Sequence, residues 1–202
     1  MLPTEFLIGF IKSFLALFII IDPFLGMVVF ITLTRGASTK EKAKAAFIAT
    51  AVAGGLLALF LFTGMFLLNI MGISLPSFVV AGGVILLILG VQAVLGIEFA
   101  RKEKQDKKAA AVIIGTPLLS GPGAMTTIVI LSQQYGYWPP LIALILMMGI
   151  TWLMLYFSER IAARMGDRLI EVLSRVLGLM LAALAAEFIK DGISDMIRGF
   201  KK

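Results

Sequence analysis

Two short stretches hold residue types that do not fit their surroundings. In Ile21-Asp22-Pro23-Phe24-Leu25-Gly26-Met27 a carboxyl group, a helix breaker and a glycine interrupt an apolar run over residues 6–34. A charge near the centre of a bilayer costs about 2.5–3.5 kcal/mol on insertion scales, so an intramembrane Asp ordinarily lines a cavity or an ion path. Pro23 lacks an N–H and obstructs the turn before it, so a helix kinks or breaks there and frees backbone groups that need partners. The second stretch is Ser120-Gly121-Pro122-Gly123-Ala124-Met125, followed by Thr126 and Thr127. Its glycines let backbone approach a ligand closely, and the N–H groups of a helix start suit a carboxylate. Two interrupted apolar segments at corresponding positions of two halves point to a transporter binding site. The candidate substrate-binding residues are therefore Asp22, Pro23, Phe24, Gly26, Ser120, Gly121, Pro122, Gly123, Ala124, Thr126 and Thr127. Asp22 is also the candidate for ion coupling.

Each of these has a structural reading beside the functional one. Asp22 can cap a helix that starts at Pro23, with Pro in the favoured first position, and a capping carboxylate can still face a cavity. The glycine-proline break can be a packing kink, and the three hydroxyls can bond back to their own helix. Arg175 lies a few residues into the last apolar run and is either a gate, an interface residue or a snorkelling cation. Gly82-Gly83 and Gly178 suit close helix approach.

The elements that must position these residues are membrane spans. The chain has 202 residues, 60% hydrophobic and 15% charged, with a mean hydropathy of +1.03; an ordinary soluble domain is about 45–50% apolar. Six spans can be drawn, over residues 6–34, 45–70, 76–97, 109–133, 140–157 and 169–188. The first would be about 43 Å long at 1.5 Å per residue, against a hydrocarbon core of about 30 Å, so it tilts, breaks or both. Pro117, Gly121, Pro122 and Gly123 deny the fourth a clean helix. No basic region precedes the first run, which reads as a span and not as a removable signal.

The net charge of +6 does not indicate nucleic acid, because the basic residues sit in short loops and act as topology signals. Arg35, Lys40, Lys42 and Lys44 follow span one; Arg101, Lys102, Lys104, Lys107 and Lys108 follow span three; Arg160, Arg164 and Arg168 follow span five. These twelve share one side, which the positive-inside rule makes cytoplasmic, so both termini are expected outside the cell (inner) membrane. With no His and no Cys, imidazole and thiolate metal sites, disulfides and a histidine proton relay are excluded. No cofactor or metal is expected, and no paired carboxylates or phosphate loop suggest an enzyme.

The two halves resemble each other. Pro23-Phe24-Leu25-Gly26-Met27-Val28-Val29-Phe30-Ile31 can be laid on Pro122-Gly123-Ala124-Met125-Thr126-Thr127-Ile128-Val129-Ile130, and Met71-Gly72-Ile73-Ser74-Leu75 on Met165-Gly166-Asp167-Arg168-Leu169. Three spans per half is an odd number, so the repeats are inverted. The expected fold is an all-α membrane protein of one transmembrane domain, 1–202. Its six helices form two inverted three-helix repeats, roughly 1–100 and 101–202, with the first and fourth spans broken near mid-membrane.

Asp22-Pro23, the segment from Pro117 to Met125, Ala81-Gly82-Gly83 and Ser174-Arg175 with Gly178-Leu179 together resemble the MarC family over essentially the whole chain. The family includes an archaeal transporter of small neutral amino acids. The resemblance implies a six-span inner-membrane protein moving small neutral amino acids such as glycine and alanine, coupled to an ion gradient. A small apolar wall would also admit serine, alternating access would come from one repeat rocking against the other, and the candidate coupling ion is H+ or Na+. The first-half motif departs from the family form: the glycine is displaced by one place, and an Asn and a second Pro are absent, which bears on substrate choice. The expected partners are a small amino acid and the lipid bilayer, with no nucleic acid. A passive channel for small solutes or ions, an exporter of another small metabolite, and a membrane scaffold are the alternative readings.

Overall fold

The computed structural model describes residues 3–96 and 119–199, which form helices and no strand among the described residues. In chain order these are α1 (Pro3–Ile21), α2 (Pro23–Leu33), α3 (Thr39–Ile70), α4 (Leu75–Leu95), α5 (Pro122–Tyr135), α6 (Trp138–Tyr156), α7 (Ser158–Met165) and α8 (Asp167–Gly199). Five helical stretches among the described residues are long and apolar enough to cross a membrane: Thr4–Leu33, Thr39–Ile70, Leu75–Leu95, Trp138–Tyr156 and Arg168–Arg198. The fourth expected span is represented by α5 alone, since its residues 109–118 and the basic cluster 101–108 lie outside the described residues. At 14 residues α5 is about 21 Å long, short of a full crossing.

Local chemistry sets most boundaries. Ser38 opens α3 with a reciprocal capping box to Glu41, so the helix starts six residues before the apolar run and carries Lys40, Lys42 and Lys44 on its first turns. Ser74 caps α4 through Ser77 N–H, and Gly96 in the left-handed region ends it, two residues after Val94 and one before the expected limit. Pro139 in the first turn lets α6 begin at Trp138. Two differences from the sequence reading stand out. The segment after span five is not only a loop: Ser158–Met165 forms α7, with charged residues along one side. The last helix extends through 33 residues, beyond the expected 169–188 at both ends, because the charged residues of its first and last turns continue the helix outside the apolar middle.

Lipid offers no hydrophobic drive for helix pairing, so close van der Waals fit and small residues decide who packs on whom. The most extensive pairing is α4 with α8, and it runs antiparallel. A Cβ on Gly83 would lie 3.0 Å from the Ala185 carbonyl oxygen, one on Gly90 2.7 Å from the Ala182 nitrogen, and one on Gly192 2.9 Å from the Pro76 carbonyl oxygen. Hydrogens there let the two backbones touch. Elsewhere α2 packs on α6 and α5 on α3, while α5 meets α4 and α8 meets α2. The main core draws on α1, α2, α3, α5 and α6, with Leu17, Met27, Phe30, Leu57, Ile128 and Met147 fully enclosed. Large apolar side chains such as Leu7, Ile11, Phe66, Ile88, Ile145 and Leu179 face outward, as a lipid-facing surface requires.

Candidate substrate site

Asp22 is the single residue between α1 and α2. Its φ of 39° and ψ of 75° put it in the left-handed region, and it is the one non-glycine with positive φ among the described residues. Asp and Asn tolerate that region best among residues with a Cβ, because the short polar side chain bonds locally. The Asp22 carboxylate accepts the Leu25 N–H at 3.1 Å as N-cap of α2, and Pro23 takes the first position. The chain stays nearly continuous through the break: Asp22 N–H donates to the Phe18 carbonyl at 3.2 Å and Gly26 N–H to the Asp22 carbonyl at 3.0 Å. The capping reading of Asp22 thus holds, and the residue is buried, at 7% exposure, within a largely apolar run.

The second stretch has the same plan with a different cap. Gly121, extended at φ −60° and ψ 170°, is the N-cap of α5 without a side-chain hydrogen bond, and Pro122 is again at the first position. Ser120 is fully buried, Gly121 half-buried and Pro122 exposed. From Gly123 onward α5 is buried on nearly every face, with Ala124, Thr126, Thr127 and Ile128 all enclosed. The two stretches come together at Gly26: a Cβ there would lie 3.3 Å from Leu119 Cδ2, so the residue preceding Ser120 rests on the first turn of α2. Phe24 stands edge-on to Phe18 with ring centroids 6.2 Å apart.

The hydroxyls divide into two kinds. Thr126 Oγ1 donates to the Pro122 carbonyl at 2.8 Å, which is the back-bonded reading. Thr127 Oγ1 is buried and finds no protein partner, and so is Ser13 Oγ on α1. A buried hydroxyl without a partner loses about 1–3 kcal/mol relative to a bonded one, and such groups call for an explanation in a site. Ser13 escaped the sequence reading; its signal was a hydroxyl in the same apolar run as Asp22. Arg175, by contrast, is half-exposed, paired with Glu171 one turn away, with its guanidinium against Gly96 at the end of α4. That place fits an interface cation, where the carboxyl-terminal end of α4 favours positive charge. Two open grooves between α3 and α6 contain none of the candidate residues.

The first turns of α5 are held against α4 by a tight contact. A Cβ on Gly82 would come 2.0 Å from Thr126 Cγ2, and one on Gly123 2.5 Å from Leu86 Cδ2. Gly82→Ala is therefore expected to destabilise by about 1–3 kcal/mol, the range for forcing extra carbon into a packed interior. Thr126→Ser removes the methyl group in the way and should recover part of that loss in the double variant, a non-additivity read from thermal unfolding.

A bundle of helices, five of them long and apolar enough to cross a membrane among the described residues, defines a multi-pass integral membrane protein. Within that class the chain belongs to the MarC family of integral membrane proteins, matched over residues 7–197. It is 34% identical to a UPF0056 membrane protein of Methanocaldococcus jannaschii over 91% of this chain and 95% of the relative. A UPF0056 membrane protein of Aquifex aeolicus is 31% identical over 96% of both chains, and one from Buchnera aphidicola subsp. Schizaphis graminum 30% identical over 93% and 92%. No solved structure matches the chain.

Proposed function

We propose that this protein is a secondary transporter of small neutral amino acids, glycine, alanine and serine, working by alternating access and driven by H+ or Na+. The observation that carries this reading is Asp22: a buried carboxyl group in the left-handed region between α1 and α2, with Leu119, just ahead of α5, packed on Gly26 in the first turn of α2. In this proposal N–H groups at the start of α5 bind the substrate carboxylate, and Asp22 receives the ammonium group or the coupling cation. Thr127 and Ser13 contribute the hydroxyls that lack protein partners. In this proposal the buried Ala124 and Gly26 form the small apolar wall that selects a small side chain. No enzyme activity, cofactor or nucleic acid enters the scheme.

The proposed architecture is six spans in two inverted repeats with both termini outside, the first and fourth spans broken. The pattern of pairings supports it. If α2, α3 and α4 correspond to α5, α6 and α8, then α2 on α6 has its counterpart in α5 on α3, and α4 on α5 in α8 on α2, while α4 on α8 maps onto itself. A twofold axis in the membrane plane has that property. Alternating access would come from one repeat rocking against the other, with the α4–α8 pair at the axis.

Uptake of radiolabelled glycine into proteoliposomes, with an imposed proton or sodium gradient, tests the reading. Accumulation above the equilibrium level under one gradient is the expected result. Glycine flux that only equilibrates, with no exchange against unlabelled substrate, would point to a passive channel instead.

A further inference from the structure

We propose that the groove between α3 and α6 holds an acyl chain of an anionic phospholipid, whose headgroup is taken by Lys40 and Lys44 of α3 and Arg160 of α7. The groove has two connected parts, of about 250 and 310 Å³, that share Thr50, Ala51 and Met148. Its floor is a close contact, with a Cβ on Gly54 only 3.0 Å from Met148 Cγ, whereas Gly55 and Gly149 have nothing within 4 Å of the same position. The missing side chains at Gly55 and Gly149 make the notch. Its walls are nearly all hydrocarbon: the one hydroxyl, on Thr50, is turned to the Ala46 carbonyl at 2.9 Å, and the remaining side-chain polar group is the Trp152 indole N–H. A polar solute finds little to bind there, while a hydrocarbon chain has walls on two sides.

The ends of the groove differ, and that difference selects the occupant. Along α3, Lys40, Lys44, Phe47, Ala51, Gly55 and Ala58 recur at steps of three and four and so share one face of the helix. The groove therefore leads straight to two exposed lysines. On the facing side Trp152 lines the groove and stacks on Tyr156, 5.8 Å between centroids, an arrangement suited to headgroup depth. The chain then enters α7, where Arg160 lies exposed over the Phe157 ring at 5.7 Å. The ion pair between Lys42 and Glu159 ties the start of α3 to α7 and brings these cations to the same end. Lys42 is thereby satisfied, leaving Lys40, Lys44 and Arg160 for a phosphate, at a bilayer surface where anionic lipids attract basic clusters. A second copy seated on this face by a twofold axis along the membrane normal would bring the same cations toward their equals, an unfavourable juxtaposition.

Native mass spectrometry of the full chain in mild detergent, with added dioleoyl phosphatidylglycerol or dioleoyl phosphatidylcholine, tests this. Retention of the anionic lipid should exceed that of the zwitterionic one by roughly tenfold, as expected for a cluster of basic residues at the membrane surface. Lys44→Gln with Arg160→Gln should bring the two lipids to parity, and Gly55→Leu with Gly149→Leu should lower retention of both. Arg198→Gln, an exposed cation at the other end of the bundle, should change neither. Because these positions are exposed and open, the variants should fold, which their unfolding temperatures check. Equal retention of both lipids by the unaltered protein, or an unchanged preference in the Lys44 and Arg160 variant, would overturn the proposal. The chain has no cysteine of its own, so complete disulfide dimerisation of Gly55→Cys in membranes would also overturn it, in favour of a second copy.

Discussion

Asp22→Asn is expected to fold and to bind lipid normally while losing gradient-driven glycine accumulation to the level of protein-free liposomes. The substitution separates two roles of one side chain. An Asn oxygen can still accept the Leu25 N–H, and Asn tolerates φ of 39° nearly as well as Asp, so the start of α2 survives. What disappears is the charge. Asp22→Ala removes the cap as well, a loss of about 1 kcal/mol, and places a residue with an ordinary Cβ in the left-handed region, at about 1–2 kcal/mol more. Its unfolding temperature should therefore fall below that of Asp22→Asn, while transport is lost in both. Full accumulation by the Asn variant would remove the carboxyl group from the coupling scheme and leave it a structural cap.

The largest stability loss is expected at the α4–α8 contact. Gly90→Ala puts a methyl group 2.7 Å from the Ala182 nitrogen and 2.8 Å from the Gly178 carbonyl oxygen. Those atoms are backbone of a long helix and cannot turn aside as a side-chain end would, so the loss should reach the upper end of the overpacking range, about 3 kcal/mol. Gly55→Ala, in the same protein and also in a membrane helix, meets nothing within 4 Å and should be neutral or slightly stabilising. A comparison of the two unfolding temperatures in detergent separates a specific backbone contact from a general helix preference. Equal effects at Gly90 and Gly55 would mean that the two helices do not approach as described.

The apolar runs made most of the helices legible, because a bilayer demands long uninterrupted hydrocarbon and few other constraints compete with it. The helix boundary at Asp22 was legible for the same reason: one carboxyl group and one proline stand out against leucine and phenylalanine. Its left-handed conformation was not, since Asp before Pro is compatible with several turns. Gly82-Gly83 read correctly as a packing step, but adjacent residues on a helix point about 100° apart, and only the tertiary arrangement sends Gly82 to Thr126 of α5 and Gly83 to α8. The helix α7 was hidden by its charges, which looked like loop residues until Lys42 and Glu159 met across the bundle. Ser13 was hidden by context, as a serine in an apolar helix usually bonds to its own backbone, and its isolation shows only once its neighbours are in place.

The burial of α5 has a bearing on how the protein is made. A helix of 14 residues enclosed almost all round by α1, α3, α4 and α6 cannot settle in lipid by itself. When it leaves the ribosome, α6 and α8 do not yet exist, and the glycine face of α4 has waited since well before for its partner. Contacts between α4 and α8 join residues roughly a hundred positions apart, the kind of long-range pairing whose closure is slow. When α8 follows, it completes the pair with α4 and covers part of α1 and α2. Until then α1 and α2, with the Asp22 carboxyl group between them, lack the face that α8 supplies.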